Sequence, residues 1–231
     1  MKFFLGLHQP CDAIHFERVF ISVNRLKTRK STFSVWDWIM DSGAFTEIST
    51  HGHYRYSVQE YANEIIRWKK TGNLLAAVSQ DYMCEPFITN KTGMSVLEHQ
   101  QLTIERYDAL LDCNTGVYIL PVLQGYVMHD YVNHIRMYGE RLVRGAWVGV
   151  GSVCKRNGDI VAIEKILSGI LKERPDLRLH GFGLKTTALS SNVVRESLES
   201  ADSMAWSFAA RMSGGNGNDW REARRWLNNI E

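Results

Sequence analysis

Short apolar runs alternate along the chain with longer segments of helical period. The runs are Lys2 to Leu7, Val19 to Val23, Trp36 to Met40, Leu74 to Val78, Val117 to Leu120, Ala146 to Val150, Leu177 to His180 and Ala201 to Trp206. They read as eight strands, mostly buried on both faces, as parallel sheets require. Between them, apolar residues recur at i, i+3 and i+4 in Val58 to Trp68, Val96 to Leu111, Tyr131 to Val143, Ile160 to Leu171 and Val193 to Leu198. That spacing gives helices with one buried face. Strand and helix in alternation predict an α/β fold, a compact (β/α)8 TIM-like barrel trimmed in its first two units, where no long helix is legible. An open doubly wound sheet is the competing architecture, since periodicity alone cannot close a barrel. The glycine-rich stretch Ser213 to Asp219 is expected to release the chain into a short C-terminal helix over about 219–230, with Arg221, Arg224 and Arg225 on one side. A solvated face is the favoured reading of those arginines.

The composition fits one globular domain spanning 1–231: 45% of residues are apolar and 23% charged, so a full core can be buried and disorder is excluded. Cys11, Cys84, Cys113 and Cys154 form no CxxC pair, which suits free thiols in a reducing compartment. No run approaches the eighteen or so apolar residues of a membrane span, and the opening MKFFLGLHQP is too short for a signal core. A cytoplasmic protein without membrane contact is expected. The net charge of +2 says little about a polyanionic partner, so any such partner must be held by local patches. Basic residues gather at Arg25 to Lys30, at Lys155 and Arg156, and again at Lys185 and Arg211.

Chemistry in a barrel of this kind sits where the carboxyl ends of the strands converge. The runs end on His8 and Gln9, Asp41, Gln80 and Asp81, Gln124, Gly149 and Gly151, Gly181 and Gly183, and Asp202. Any one Asp after a strand is ordinarily a turn former or helix cap. Several carboxylates and carboxamides on one rim point instead to a site. Carboxylates, carboxamides and bare glycine backbone are groups that read a nucleobase edge. His51 and His53 lack any companion metal motif, and nothing pairs Cys84 with a histidine, so neither a metal nor a cofactor is expected.

The ordered series DSGAF, SQDY, LQGY, VGVGS, HGFGLK and ADSMAW resembles the tRNA-guanine transglycosylase superfamily, more closely its short DNA-directed branch of deazapurine modification proteins. The similarity runs from about Phe3 to Arg211. It implies a barrel enzyme that breaks a base–sugar bond, with Asp41 beside the reacting sugar, Asp81 and Gln124 reading the base, Gly149 and Gly151 meeting it through backbone amides, and Phe45 stacking on it. Two features depart from the tRNA enzymes. The region after Asp202 has no Cys or His to form their zinc motif, and ADSMA puts Ala205 where their covalent Asp nucleophile stands, unless Asp202 or Asp41 has taken that role.

Without a covalent intermediate, the simpler reaction is attack of water on C1′ assisted by a carboxylate. The sequence therefore reads first as a DNA glycosylase with catalytic Asp41 and Asp202. It would remove a flipped, modified base held by Phe45 or Trp206 on its face and Asp81, Gln124, Gly149 and Gly151 at its edges, and analogy suggests a setting in antiviral defence. His8, Gln9, Lys155, Arg156, Lys185 and Arg211 are the rim or phosphate contacts this reading expects. Base exchange that inserts a 7-deazapurine is the first alternative, and an inactive nucleic-acid-binding module the second. The oligomeric state is not legible.

Overall fold

The computed structural model describes residues 1–156 and 158–230, apart from the side chain of Lys155. Nine strands form one parallel sheet: β1 (Lys2–Gly6), β2 (Arg18–Ser22), β3 (Asp37–Asp41), β4 (Asn73–Val78), β5 (Ile119–Leu120), β6 (Val122–Leu123), β7 (Trp147–Val150), β8 (Arg178–Gly181) and β9 (Ser200–Ser203). Their order is β5-β4-β3-β2-β1-β9-β8-β7-β6. The two ends of this order are neighbours in sequence, separated by Pro121 alone, so the sheet curls into a nearly closed barrel. Proline has no N–H for a ladder, and pairing changes sides there. β5 pairs with β4, β6 pairs with β7, and the Pro121 carbonyl accepts from Gly149 N at 2.8 Å. Each of the eight predicted runs carries a strand, and the ring excludes the open sheet.

Alternation along the strands divides the apolar residues between two cores. Phe4, Phe20, Ile39, Ala76, Val78, Leu120 and Val122 fill the barrel interior. Leu5, Val19, Ile21, Trp38, Met40, Ala77, Val148 and Val150 face outward into the larger core beneath the helices. Residue i+2 after an interior residue also points inward. The same alternation that puts Phe20, Ile39 and Val122 inside therefore aims Ser22, Asp41 and Gln124 at the mouth.

The helices are α1 (Ala44–His51), α2 (Val58–Trp68), α3 (Pro86–Thr92), α4 (Val96–Asp112), α5 (Met128–Tyr138), α6 (Ile160–Glu173), α7 (Thr186–Leu189), α8 (Asn192–Ser197), α9 (Ala205–Met212) and α10 (Trp220–Leu227). Ser57 with Glu60 and Ser95 with Glu98 form capping boxes that start α2 and α4. The first two crossovers carry only the 3-10 turns Pro10–His15 and Val23–Arg25, which is the trimming expected there. Three segments differ most from the sequence reading. α5 starts three residues early, where the Asp130 carboxylate accepts from Tyr126 N and Val127 N, and it stops at Gly139 with φ +54°. The run Ala201 to Trp206 is split, because the Ser203 hydroxyl accepts from Ala205 N and starts α9. The last helix ends at Leu227. Among the described residues no helix is long and apolar enough to cross a membrane.

Candidate active site

A cavity of about 630 Å³ opens at the carboxyl ends of the strands. Leu7, Phe20, Val78 and Phe182 give it apolar walls, and Asp41, Asp81, Glu85, Gln124, Ser152 and Asp202 bring polar groups into it. This volume lies in the range of pockets that enclose small organic ligands.

Asp41 ends β3, with Ser22 as its register partner on β2. Burial pushes its carboxyl up to about 6, against a bond from the Ser22 hydroxyl, and the charge of Asp202 pushes in the same direction. Gly43 follows with φ +76°, and a Cβ there would collide with the Asn24 side chain, so glycine is required at this turn. α1 starts at once and carries Phe45, 45% exposed, to the cavity rim. The Tyr56 hydroxyl donates to the Ser42 carbonyl, and the Tyr54 hydroxyl donates to the Asp81 carbonyl at 3.0 Å. These two tyrosines tie the loop after α1 to the backbone of both strand ends.

Asp81 is buried, and its Oδ2 accepts from Gln124 Nε2. Burial pushes this carboxyl up to about 7. The Gln124 bond opposes that shift, and the charges of Asp41 and Glu85 add to it. Gln124 is fixed from every side. Its N–H donates to His134 Nδ1 at 2.8 Å, its carbonyl accepts from Gln100 Nε2 at 2.6 Å, and its Oε1 lies 2.7 Å from the Ser152 hydroxyl. His134 is buried and pushed down to about 3 by desolvation, so it serves as a neutral acceptor. Ser152 Oγ also accepts from Cys84 N at 2.9 Å and stands 2.9 Å from Glu85 Oε2. Asp81, Gln124, Ser152 and Glu85 thus form one continuous polar edge.

Asp202, at the end of β9, is buried to 5% exposure. Its Oδ1 accepts from Gly183 N at 3.1 Å and meets His180 Nε2 at 3.3 Å. His8 follows β1, the strand beside β9, and there Arg25 Nη2 donates to its Nδ1 at 3.2 Å and its Nε2 meets Ser207 Oγ at 2.9 Å. Arg211 donates to the same hydroxyl at 3.1 Å. Burial, with Arg25 and Arg211 nearby, pushes His8 below its usual range.

Of the residues expected from sequence, Asp41, Phe45, Asp81, Gln124, Gly151, Asp202 and His8 line this one cavity. Others stand elsewhere. Trp206 is in the core with its Nε1 donating to the Gly6 carbonyl at 2.7 Å, so its ring does not face the cavity. Gly149 is covered by the Phe182 ring. The amides of Gly149 and Gly151 both donate within the sheet, to Pro121 and Leu123 carbonyls at 2.8 and 2.9 Å, so the barrel ladder takes the N–H groups expected to meet a base. Gln80 turns away and accepts from Arg106 at 2.7 Å. Gln9 is exposed and donates to the Asn218 carbonyl. Arg156 covers the Tyr126 ring, and Lys185 lines a smaller neighbouring depression with Gly183 and Ala205. Arg211 reaches the cavity only through Ser207 and His8. The side chain of Lys155 lies outside the described residues.

The sequence reading missed Glu85, Ser152, Ser22 and His180. Ser152 closes the VGVGS motif, one residue after Gly151, whereas Glu85 stands four residues after Asp81, beyond the SQDY motif. His180 opens the HGFGLK motif and faces inward from β8. Among the described residues no group of three or more His, Cys, Asp or Glu could hold a metal ion, and burial pushes the Cys84 thiol up, away from nucleophilic use.

Residues 1–220 match the profile of the family described as DpdA, deoxypurine in DNA protein A. The chain belongs to this family. The match covers every strand and all the cavity-lining residues, and it supports the DNA-directed branch of the resemblance. None of the curated proteins matches the chain.

Proposed function

We propose that the protein is a DNA base-exchange enzyme, which breaks the N-glycosidic bond of a flipped purine nucleotide and installs a 7-deazapurine in its place. The observation that carries this reading is the pair Asp41 and Asp202 on one cavity whose other edge holds Asp81 hydrogen-bonded to Gln124. Family membership supports exchange over hydrolysis, because a modified purine in DNA is the product of exchange. The ring is read as the (β/α)8 barrel with its fifth strand interrupted at Pro121.

In the proposed reaction the flipped base enters the cavity, at a cost of a few kcal/mol of unstacking. Phe45 covers its face, and Asp81, Gln124 and the Ser152–Glu85 pair meet its edge. Asp202 Oδ2 adds to C1′ while the C1′–N bond breaks, and the departing base takes the bonding pair together with a proton from Asp41. An Asp raised to about 6 is suited to hold that proton near neutral pH. The incoming deazapurine returns its N–H proton to Asp41, its nitrogen bonds C1′, and the Asp202 carboxylate leaves.

Hydrolysis is the second reading, favoured by one feature. Ala205 occupies the place of the covalent Asp in the tRNA enzymes and lies outside the main cavity. Water would then take the part of the incoming base. Incubating the protein with DNA and a radiolabelled 7-deazaguanine-type base separates the two. Label entering an intact strand supports exchange, whereas abasic sites without incorporation would replace it with hydrolysis. Asp41→Asn is expected to abolish either product while DNA binding persists; unchanged product formation in that variant would remove Asp41 from the chemistry, and DNA binding without either product in the native protein would return it to a binding module.

A further inference from the structure

Below the cavity floor a chain of hydrogen bonds runs through the barrel interior to Asp202. Trp147 Nε1 donates to Ser200 Oγ at 2.9 Å, Ser200 Oγ lies 2.9 Å from His180 Nδ1, and His180 Nε2 lies 3.3 Å from Asp202 Oδ1. The sheet produces this alignment. His180 and Ser200 are register partners on adjacent strands, and Asp202 follows Ser200 by two residues on the same inward face.

The direction of every proton in the chain follows from its first member. An indole nitrogen can only donate, so Ser200 Oγ accepts there and has its own proton to give. His180 Nδ1 is its other partner, which makes Nδ1 the acceptor and leaves the ring proton on Nε2, facing Asp202. A proton on Nδ1 as well would leave the Ser200 hydroxyl with no acceptor among the described residues. All three donors then point towards Asp202, and bonds aligned in series polarise one another.

The surroundings of His180 show what the imidazole adds. It is fully buried among Phe4, Phe20, Trp147 and Phe182, with ring centroids at 6.2, 5.7, 6.0 and 4.8 Å. A cage of this kind is apolar on every face, and a buried polar ring is tolerated in it only with its nitrogens bonded. The N–H towards Asp202 is what the histidine supplies and an aromatic hydrocarbon cannot. With Gly183 N it occupies Oδ1, so Oδ2 is the oxygen turned to the substrate.

We propose that His180 is a positioning residue for the glycosidic-bond chemistry, held in one tautomer by Ser200 and Trp147 and fixing Asp202 so that a single carboxylate oxygen meets the sugar. The proposal rests on the assignment of Asp202 to the reacting sugar, and its test is separable from the choice between exchange and hydrolysis.

The rate read is that of base–sugar cleavage, whichever product forms. His180→Phe keeps the cage filled and removes the donor. It is expected to lower kcat about 100-fold or more, in the range for loss of one preorganised donor, with KM for DNA within about threefold. His180→Gln restores an N–H near the Nε2 position and is expected to recover kcat to within about fivefold of the native enzyme. Melting temperatures of both variants are measured alongside, because a purely structural histidine would make kcat follow stability, and Phe would then serve as well as Gln. Nitrogen-15 NMR of the unliganded protein reads the tautomer directly. A protonated Nε2 with a bare Nδ1 is expected, and a protonated Nδ1 would overturn the proposal even if the enzyme cleaved nothing. Equal kcat in the native and His180→Phe enzymes would overturn it too.

Discussion

Asp81 carries the clearest conflict between stability and use. Its carboxyl rises from 3.8 to about 7 on folding, so between those values the folded chain holds a proton that the unfolded chain has lost. Stability from this group therefore falls as pH rises through that window and returns as pH drops. Asp81→Asn removes the titration and keeps a carbonyl oxygen for the Gln124 amide. The variant is expected to exceed the native protein in stability by on the order of 1–3 kcal/mol at pH 7.5, with the difference vanishing near pH 4. Denaturant midpoints at both pH values check this, and the difference between variants isolates Asp81 from His99 and His134, which burial pushes in the opposite sense. A variant less stable than the native protein at pH 7.5 would contradict the assignment. Gly151 gives a second test at this scale. A Cβ there would fall inside the Gln124 amide, which can swing aside only by leaving Asp81. Gly151→Ala is thus expected to raise KM for the free base about tenfold and to lower the melting temperature by a few degrees, since the Gln124 amide must give up its buried bonds to Asp81 and Ser152. The sequence marked Asp41, Asp81, Gln124 and Asp202 because they are polar residues within or shortly after the apolar runs. It could not mark Trp206 as buried, since a tryptophan looks the same in a core as on a ligand, nor show that the amides of Gly149 and Gly151 are used within the sheet.

At the scale of elements, α1 decides how Phe45 is presented, and its anchor is one ion pair. Glu47 is fully buried and accepts from Arg55 N at 3.3 Å, Nε at 2.9 Å and Nη2 at 2.8 Å. Those bonds hold its carboxyl below the usual range. The Arg55 side chain is 56% exposed, so solvent screening leaves the pair little weight in global stability. Its local effect is larger, because it joins the helix to the loop that Tyr54 and Tyr56 bind to the strand ends. Glu47→Ala is expected to speed proteolytic cleavage within residues 44–58 and to lower kcat several-fold, while the melting temperature moves by only a few degrees. Cleavage at an unchanged rate would show that α1 is held by its apolar contacts alone. Strands and long helices were legible because period and burial agree over many residues, as in α2 and α4 with their capping boxes. α1, α3 and α9 were not. Each is eight residues or fewer and begins at a tertiary feature, such as the turn at Gly43 or the Ser203 hydroxyl, that no periodic pattern announces. The break at Pro121 was hidden in the same way, because a run of apolar residues continues across it.

For the whole molecule, the question left by a net charge of +2 is which basic residues can reach a DNA backbone. Many are already occupied. Arg55, Arg67, Arg136, Arg141 and Arg174 bind carboxylates, and on α10 Arg221 pairs with Asp219, Arg225 with Glu222, and Arg224 donates to the His15 carbonyl over the Phe16 ring. The arginines of α10 thus make their bonds within the chain while Arg221 and Arg225 stay largely exposed. Arg25 and Arg211 differ. Among the described residues neither forms an ion pair, both are exposed, and both point their bonds at the His8–Ser207 link on the cavity lip. A nucleotide whose base enters the cavity leaves its phosphates at that lip. Each phosphate neutralised releases condensed counterions, so Arg25→Ala and Arg211→Ala are each expected to reduce the slope of log K against log salt by about 1, with the double variant additive. Arg221→Ala, on the occupied face, is expected to leave the slope unchanged. Titrating a fluorescent oligonucleotide between low and physiological salt reads all four variants against the native protein. Slopes that fall only for Arg221→Ala would move the DNA track from the cavity lip to α10, and with it the direction from which a flipped base enters the barrel.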